Sequence, residues 1–181
     1  MASSTIKDSV PSEIKQHIKP ESLKREFDIN ISRTQTTIHV LQWNVLAQEC
    51  KTSRTHQAKA VVAFIRKNYP TRKHVIIAGD FNGDADEPCY SEFLNLGLRS
   101  AYRTKMNDKE PEFTTWKFKG RDGTESEQCK AIDYIFYNPQ GFTPQAILQF
   151  PKKADIGPNA LPSIHYPSDH LALEVMFNIE Q

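Results

Sequence analysis

The sequence predicts an α/β fold, and three observations carry that prediction. An apolar strand, a helix with one apolar face and a second apolar strand follow one another between residues 38 and 78, and most of the later apolar runs are short and strand-like. At 181 residues and 38% hydrophobic content the chain is long enough for one domain with a core, and a second full domain would be cramped. Lys plus Arg number 23 against 22 Asp plus Glu, so a net charge of +1 gives no global pull toward nucleic acid or membrane. Any anionic substrate must be gripped locally. Cys50, Cys89 and Cys129 lack zinc-site spacing and suit reduced thiols. No apolar run approaches the roughly 20 residues that cross a bilayer, and the first residues carry no signal-type apolar segment. The expectation is a soluble cytoplasmic protein, with nuclear or mitochondrial pools also open, and no membrane partner.

Residues 1–36 mix Ser, Lys, Glu and Pro, with a faint helical pattern at Ile14, Ile18 and Leu23, and are expected to form a poorly ordered leader ahead of a domain spanning 37–181. From Ile38 to Leu46 apolar residues occupy both faces of a strand, which predicts burial in the middle of a covered sheet. Ala58, Val61, Val62 and Ile65 fall at helical spacing and end before Asn68-Tyr69-Pro70. His74–Ala78 is a short apolar strand that delivers Gly79-Asp80-Phe81-Asn82 at its C-terminal end, where α/β proteins present polar groups to ligands. Pro88 at an early position, Tyr90, Phe93 and Leu94 on one face, and Gly97 at the stop predict another short helix. Phe113–Phe118 and Ala131–Tyr137 flank a turn-rich stretch and suggest a hairpin with a long loop. Strands are expected at 146–150 and 171–177, with a proline-rich surface loop from Pro151 to Ser168 between them.

Chemistry concentrates at four places. Asp80 and Asn82 are two apart on an extended segment, so both side chains address the same side and can serve one phosphate or one water. Asp169-His170 stands where a proline-kinked loop enters an apolar run, and a His beside a carboxylate can stay protonated to neutralise a phosphate oxygen. Asp133 lies in an apolar strand, where a carboxylate must be paired or face a polar site; orienting His170 is one use for it. Asn44 sits among apolar residues, where an amide either completes a buried network or orients a ligand oxygen. Together they read as a metal-assisted phosphohydrolase site. Each has a bland alternative: Gly-Asp and Asn-Gly pairs are ordinary turns, and a loop Asp often caps backbone.

In their order along the chain, Gln42-Trp43-Asn44, Gly79-Asp80-Phe81-Asn82, Ile132-Asp133-Tyr134 and Ser168-Asp169-His170 resemble the motifs of the endonuclease/exonuclease/phosphatase superfamily. The longer runs Leu41–Gln48, Thr114–Lys117, Ile156–Ser163 and Tyr166–His170 are similar to its deadenylase-related branch, over roughly residues 38–179. The resemblance implies a partial two-sheet β-sandwich with outer helices, a Mg²⁺ cofactor and hydrolysis of a phosphate ester by activated water. By motif, Asp80 would activate the water, while Asn82 and Asn44 would orient phosphate and metal oxygens. His170, oriented by Asp169 or Asp133, would stabilise phosphate charge, with Phe81 and Lys130 also against substrate and Asn44 and Asp169 as weak metal ligands. The substrate implied is NADP(H), losing its 2′-phosphate to give NAD(H), with the 3′ end of adenylate-rich RNA as the alternative. A sphingomyelinase-like or inositol-phosphatase-like member fits less well, since it lacks the Ile156–Ser163 loop.

Two of that branch's segments are missing: a Leu-Gln-Glu strand end that supplies the main magnesium carboxylate, and a Thr-His-Leu-Lys-Ala segment with a further His. Only 28 residues separate Leu46 from Val75, which points to an internal deletion near residues 50–51. Glu49 mimics the lost carboxylate but leaves the same strand as Asn44, and His56 belongs to a helical pattern. Metal stabilisation of transition-state charge is worth several kcal/mol, so its loss would slow the reaction on the order of a thousandfold or more. A shortened, non-catalytic form that acts by binding is therefore a second expectation, with a protein partner covering the uncovered sheet.

Overall fold

The computed structural model describes residues 38–42, 44, 50–71, 73–119 and 126–180; the expected leader, Glu49 and the expected strand residues Trp43, Val45 and Leu46 lie outside them. The elements are β1 His39–Gln42, α1 Lys51–Asn68, β2 Val75–Asp80, α2 Pro88–Asn95, β3 Arg99–Ser100, α3 Ala101–Lys105, β4 Thr115–Lys119, β5 Ser126–Lys130, β6 Asp133–Tyr137, β7 Phe142–Ile147, α4 Lys153–Ile156 and β8 Val175–Ile179. The α/β class is as the sequence predicts. A four-stranded sheet in the order β1-β2-β6-β3 is accompanied by two two-stranded ribbons, β4-β5 and β7-β8.

β1 and β2 run parallel, from His39 opposite Val75 to Gln42 opposite Ala78. Parallel neighbours need a crossover, and the helix between them supplies it. The predicted face of α1, Ala58, Val61, Val62 and Ile65, is buried and packs in one cluster with Val75 and Ile77 of β2 and Phe93 of α2. Full burial of such a side chain contributes about 1.5–3 kcal/mol, so this face is what seats the helix on the sheet. Pro88 takes the first turn of α2, and Gly97 ends the segment at φ +91°, a conformation that costs a residue with a Cβ. Phe81, Phe93, Tyr134 and Phe136 meet edge-on, tilted or stacked beneath the site, with centroid separations of 5.0–5.8 Å.

Several expectations are corrected. β1 is not a buried central strand: among the described residues it stands at the end of the sheet, with no strand paired to its outer edge, and Val40 is 65% exposed. The hairpin is β4 with β5, from Thr115 opposite Lys130 to Lys119 opposite Ser126, while β6 joins the large sheet between β2 and β3. Ser126–Lys130 is too polar to announce itself as a strand; backbone pairing with β4 recruits it. β7 begins at Phe142, buried with Ala101 and Tyr137, and β8 begins only at Val175, since the Leu171 amide is taken by the Thr114 carbonyl. The stretch 151–168 is not simply a surface loop. It forms α4 and buries Ile156, Ala160 and Leu161 against Phe113 and Trp116. No helix among the described residues is long and apolar enough to cross a membrane.

Candidate active site

The antiparallel register of β2 and β6 sets Asp80 directly opposite Asp133. Two carboxylates facing each other across a strand pair repel, so the site needs cations and donors to hold them. His170 supplies one: its Nδ1 lies 2.9 Å from Asp133 Oδ2. An ionised carboxylate only accepts, so Nδ1 carries the proton and Nε2 is the ring's other proton position. The backbone brings the imidazole there through a bridge between Thr115 and His170 and the Leu171 amide donating to the Thr114 carbonyl. Ligand-type atoms of Asp80, Asp133 and His170 all lie within 4.8 Å of one another.

Each carboxylate is also held by its own surroundings. Asn82 adopts φ +50°, and that turn brings its backbone N–H to 2.7 Å from Asp80 Oδ1 and its side-chain amide to 3.1 Å from Oδ2. Asn tolerates this left-handed conformation better than most residues with a Cβ. Thr114 is fully buried and donates its hydroxyl to Asp133 Oδ2 at 2.6 Å, while the amides of Ile132 and Asp133 donate to it. Burial raises the Asp80 pKa, and the adjacent Asp133 charge adds to the rise, against the Asn82 amide, His170 and Lys117, which lower it. The hydrogen bond to Asp133 raises the His170 pKa despite its partial burial, with the negative charges of Asp133, Asp80 and Asp169 adding to it. A carboxylate made more basic beside an imidazole kept charged is a pairing suited to acid–base work.

Asp80, Asp133, His170 and Asn44 line one cavity of about 430 Å³, together with Gln42 and the apolar Val40. Asn82 joins the site through Asp80. Three expected site residues do something else. Asp169 does not orient His170: its carboxylate pairs with Lys117 Nζ at 2.5 Å, which lowers its pKa, and it stands outside the Asp80–Asp133–His170 group. Orientation of His170 falls to Asp133. Phe81 is core, 4% exposed among Phe93, Tyr134 and Phe136, because odd and even positions of a strand face opposite ways. Lys130 pairs with Asp84 at 3.0 Å and does not line the cavity. His56 is exposed on α1. Sequence reasoning missed Thr114, Thr115 and Lys117 as supports. The signal was there in part: hydroxyls inside an aromatic run need partners when buried, and Thr115 donates to the Asp169 carbonyl at 2.7 Å.

The magnesium that the resemblance implies is poorly matched by these donors. Mg²⁺ takes six oxygen ligands in near-octahedral array. Here both Asp80 oxygens accept from Asn82, and Asp133 Oδ2 accepts from Thr114 and His170, so much of the oxygen capacity is already engaged. The three groups could share a cation, but a full magnesium shell needs further oxygen ligands from outside them.

Residues 52–170 match the model of the Endonuclease/Exonuclease/phosphatase family. Among curated proteins, nocturnin of Xenopus laevis is 42% identical over 111 residues, covering 59% of this chain and 28% of that protein. Nocturnin of Drosophila melanogaster is 32% identical over 149 residues, covering 70% of this chain and 22% of that protein. The solved human nocturnin catalytic domain with bound sulfate anion superposes with a TM-score of 0.58 at 26% identity, over 78% of this chain and 46% of that one. ANGEL2, a 2′,3′-cyclic phosphatase, shares the fold with a TM-score of 0.57 at 21% identity, over 76% of this chain and 56% of that one. The chain spans about a quarter of the length of the curated relatives it matches.

Proposed function

This chain belongs to the endonuclease/exonuclease/phosphatase family, and from that premise we propose that the Asp80–Asp133–His170 cluster is a phosphoric ester hydrolase site acting on NADP(H), releasing the 2′-phosphate and leaving NAD(H). The observation that supports it most is the single unit of an imidazole held by Asp133, its pKa raised by that bond, with a second, more basic carboxylate within reach. Asp80 takes a proton from water as that water attacks phosphorus. The bond from phosphorus to the ribose 2′-oxygen breaks with its electrons going to that oxygen, which takes a proton from solvent and leaves as the hydroxyl, and Asp80 later gives its proton back to water. His170, positively charged, neutralises phosphate oxygens as charge gathers on them, and Asn44 at the cavity edge orients one such oxygen. Phosphoryl transfer asks mainly for positioning and electrostatic stabilisation, and these residues supply both without a covalent intermediate.

Within the same chemistry, a poly(A) 3′-exonuclease is the weaker reading. A single strand is gripped by free cations interleaved with aromatic side chains. Lys117 and Lys130 are instead committed to Asp169 and Asp84. Magnesium dependence of the reaction belongs to the proposal, with oxygen ligands beyond the cluster.

The test incubates purified protein with NADP⁺ and Mg²⁺ and follows phosphate release beside Asp80→Ala, with an adenylate oligomer as second substrate. Release from NADP⁺ faster than the variant is expected. Release at the variant's rate from both substrates would leave the non-catalytic, binding-only form of the protein in its place.

A further inference from the structure

The turn that follows Asp80 stands on a buried ion pair contributed by two distant segments. Arg54, in the first turn of α1, and Glu87, which precedes α2, are 8% and 3% exposed. Arg54 Nε donates to Glu87 Oε2 at 2.8 Å, and its Nη2 donates to Oε1 at 2.7 Å and to Oε2 at 2.6 Å. This two-pronged geometry fixes orientation as well as distance. Gly83 lies directly against it: a Cβ at that position would come to 2.6 Å from Cys89 Sγ, 3.2 Å from Glu87 Oε2 and 3.4 Å from Arg54 Nε. The Tyr134 hydroxyl lies 3.0 Å from the Gly83 carbonyl and 2.5 Å from the Ala131 carbonyl, and its one proton is shared between them. Gly83 is thereby clamped between β6 and the ion pair, and its chain neighbour is Asn82, whose turned backbone caps the Asp80 carboxylate.

We propose that the Arg54–Glu87 pair positions the candidate catalytic carboxylate, by forming the floor on which residues 82–84 sit and so holding Asn82 in the turn that returns its N–H to Asp80. Arg54 and Glu87 do not line the site cavity; they act through Gly83 and Asn82. Two features separate this from an ordinary staple between helices. The side chains of the pair come up against Gly83, where a Cβ would crowd Cys89 and Glu87, and the Glu87 amide donates to the Asp84 carbonyl of the same turn at 3.0 Å. The turn also holds a left-handed Asn, a conformation that persists when its surroundings enforce it.

Backbone hydrogen exchange read by NMR on the full chain tests this in Glu87→Gln and Gly83→Ala. The first keeps shape and removes the charge; the second removes no polar group and pushes the turn off its floor. In both, the Asn82 amide is expected to exchange about tenfold faster relative to Ile77 in the centre of β2, the mark of local opening rather than global loss of stability. An Asn82-to-Ile77 ratio unchanged from wild type in Gly83→Ala would overturn the proposal, and would do so even if Glu87→Gln failed to fold. The consequence for turnover rests on the hydrolase reading: both variants should lower kcat about 10- to 100-fold with little change in KM, as misplacement of a reacting group does. A wild-type chain that releases no phosphate would sink the hydrolase reading and leave the exchange result to decide the positioning role by itself.

Discussion

The two walls of the site cavity are built differently. On one wall Asp80, Asp133 and His170 each have partners of their own, and behind them Phe81, Phe93, Tyr134 and Phe136 fill a close-packed core. On the other wall β1 contributes Val40 and Gln42 from the end of the sheet, with Asn44 just beyond the strand and Val40 largely in solvent. The contrast teaches that, among the described residues, the contacts that position the acid–base groups are made away from β1. The pieces that orient protons come from β2, β6, Thr114 and the bridge between Thr115 and His170.

The largest difference between the walls should appear on truncating side chains in the core. Phe136→Ala is expected to cost about 3–5 kcal/mol, read as the shift in denaturant midpoint. A smaller loss would mean that the aromatic cluster is looser than its geometry. Next is Asp133→Asn, which keeps the shape of the partner but removes the charge that holds the imidazolium. Phosphate release from NADP⁺ should fall about a hundredfold, or about 2.7 kcal/mol in barrier. An unchanged rate would detach β6 from the chemistry.

The dyad also makes stability depend on pH. The folded pKa of His170 lies above its ordinary value of 6.5. Protonation is therefore favoured by folding, and the stability it contributes is fully present below about pH 6.5 and lost as pH rises through the higher folded value. Asp133→Asn should accordingly be more destabilising at pH 6 than at pH 9 in parallel denaturant titrations. Equal losses at both would say that the imidazole is neutral in the fold. The smallest effect is expected on the open wall: Val40→Ala should change stability by no more than about 0.5 kcal/mol, as exposed positions do.

Much of the dense wall was legible in the sequence, because helical and strand periodicity named its apolar residues and its carboxylates stood at the ends of apolar runs. Ala58, Val61, Val62 and Ile65 are buried where their spacing places them, and Asp80, Asp133 and His170 converge. What was not legible depends on register and on partners distant in sequence. Nothing in Ser126–Lys130 marks a strand, since its pairing with β4 is made by backbone. Nothing in Ser168-Asp169-His170 says that Asp169 turns to Lys117 while His170 turns to Asp133, because adjacent residues point to opposite sides. Phe81 was misread because a motif places it beside two functional residues, whereas alternation sends it into the core. Burial of β1 was misjudged from its apolar content alone, which cannot show whether a neighbouring strand is present.

The most direct test of the unit formed by Asp80, Asp133 and His170 is an NMR titration of the His170 imidazole from pH 5 to 9 in the wild type, Asp133→Asn and Asp80→Asn. A pKa above 6.5 in the wild type is expected, falling most in Asp133→Asn and less in Asp80→Asn, in the order in which those groups raise it. An imidazole that titrates identically in all three proteins would contradict a shared site.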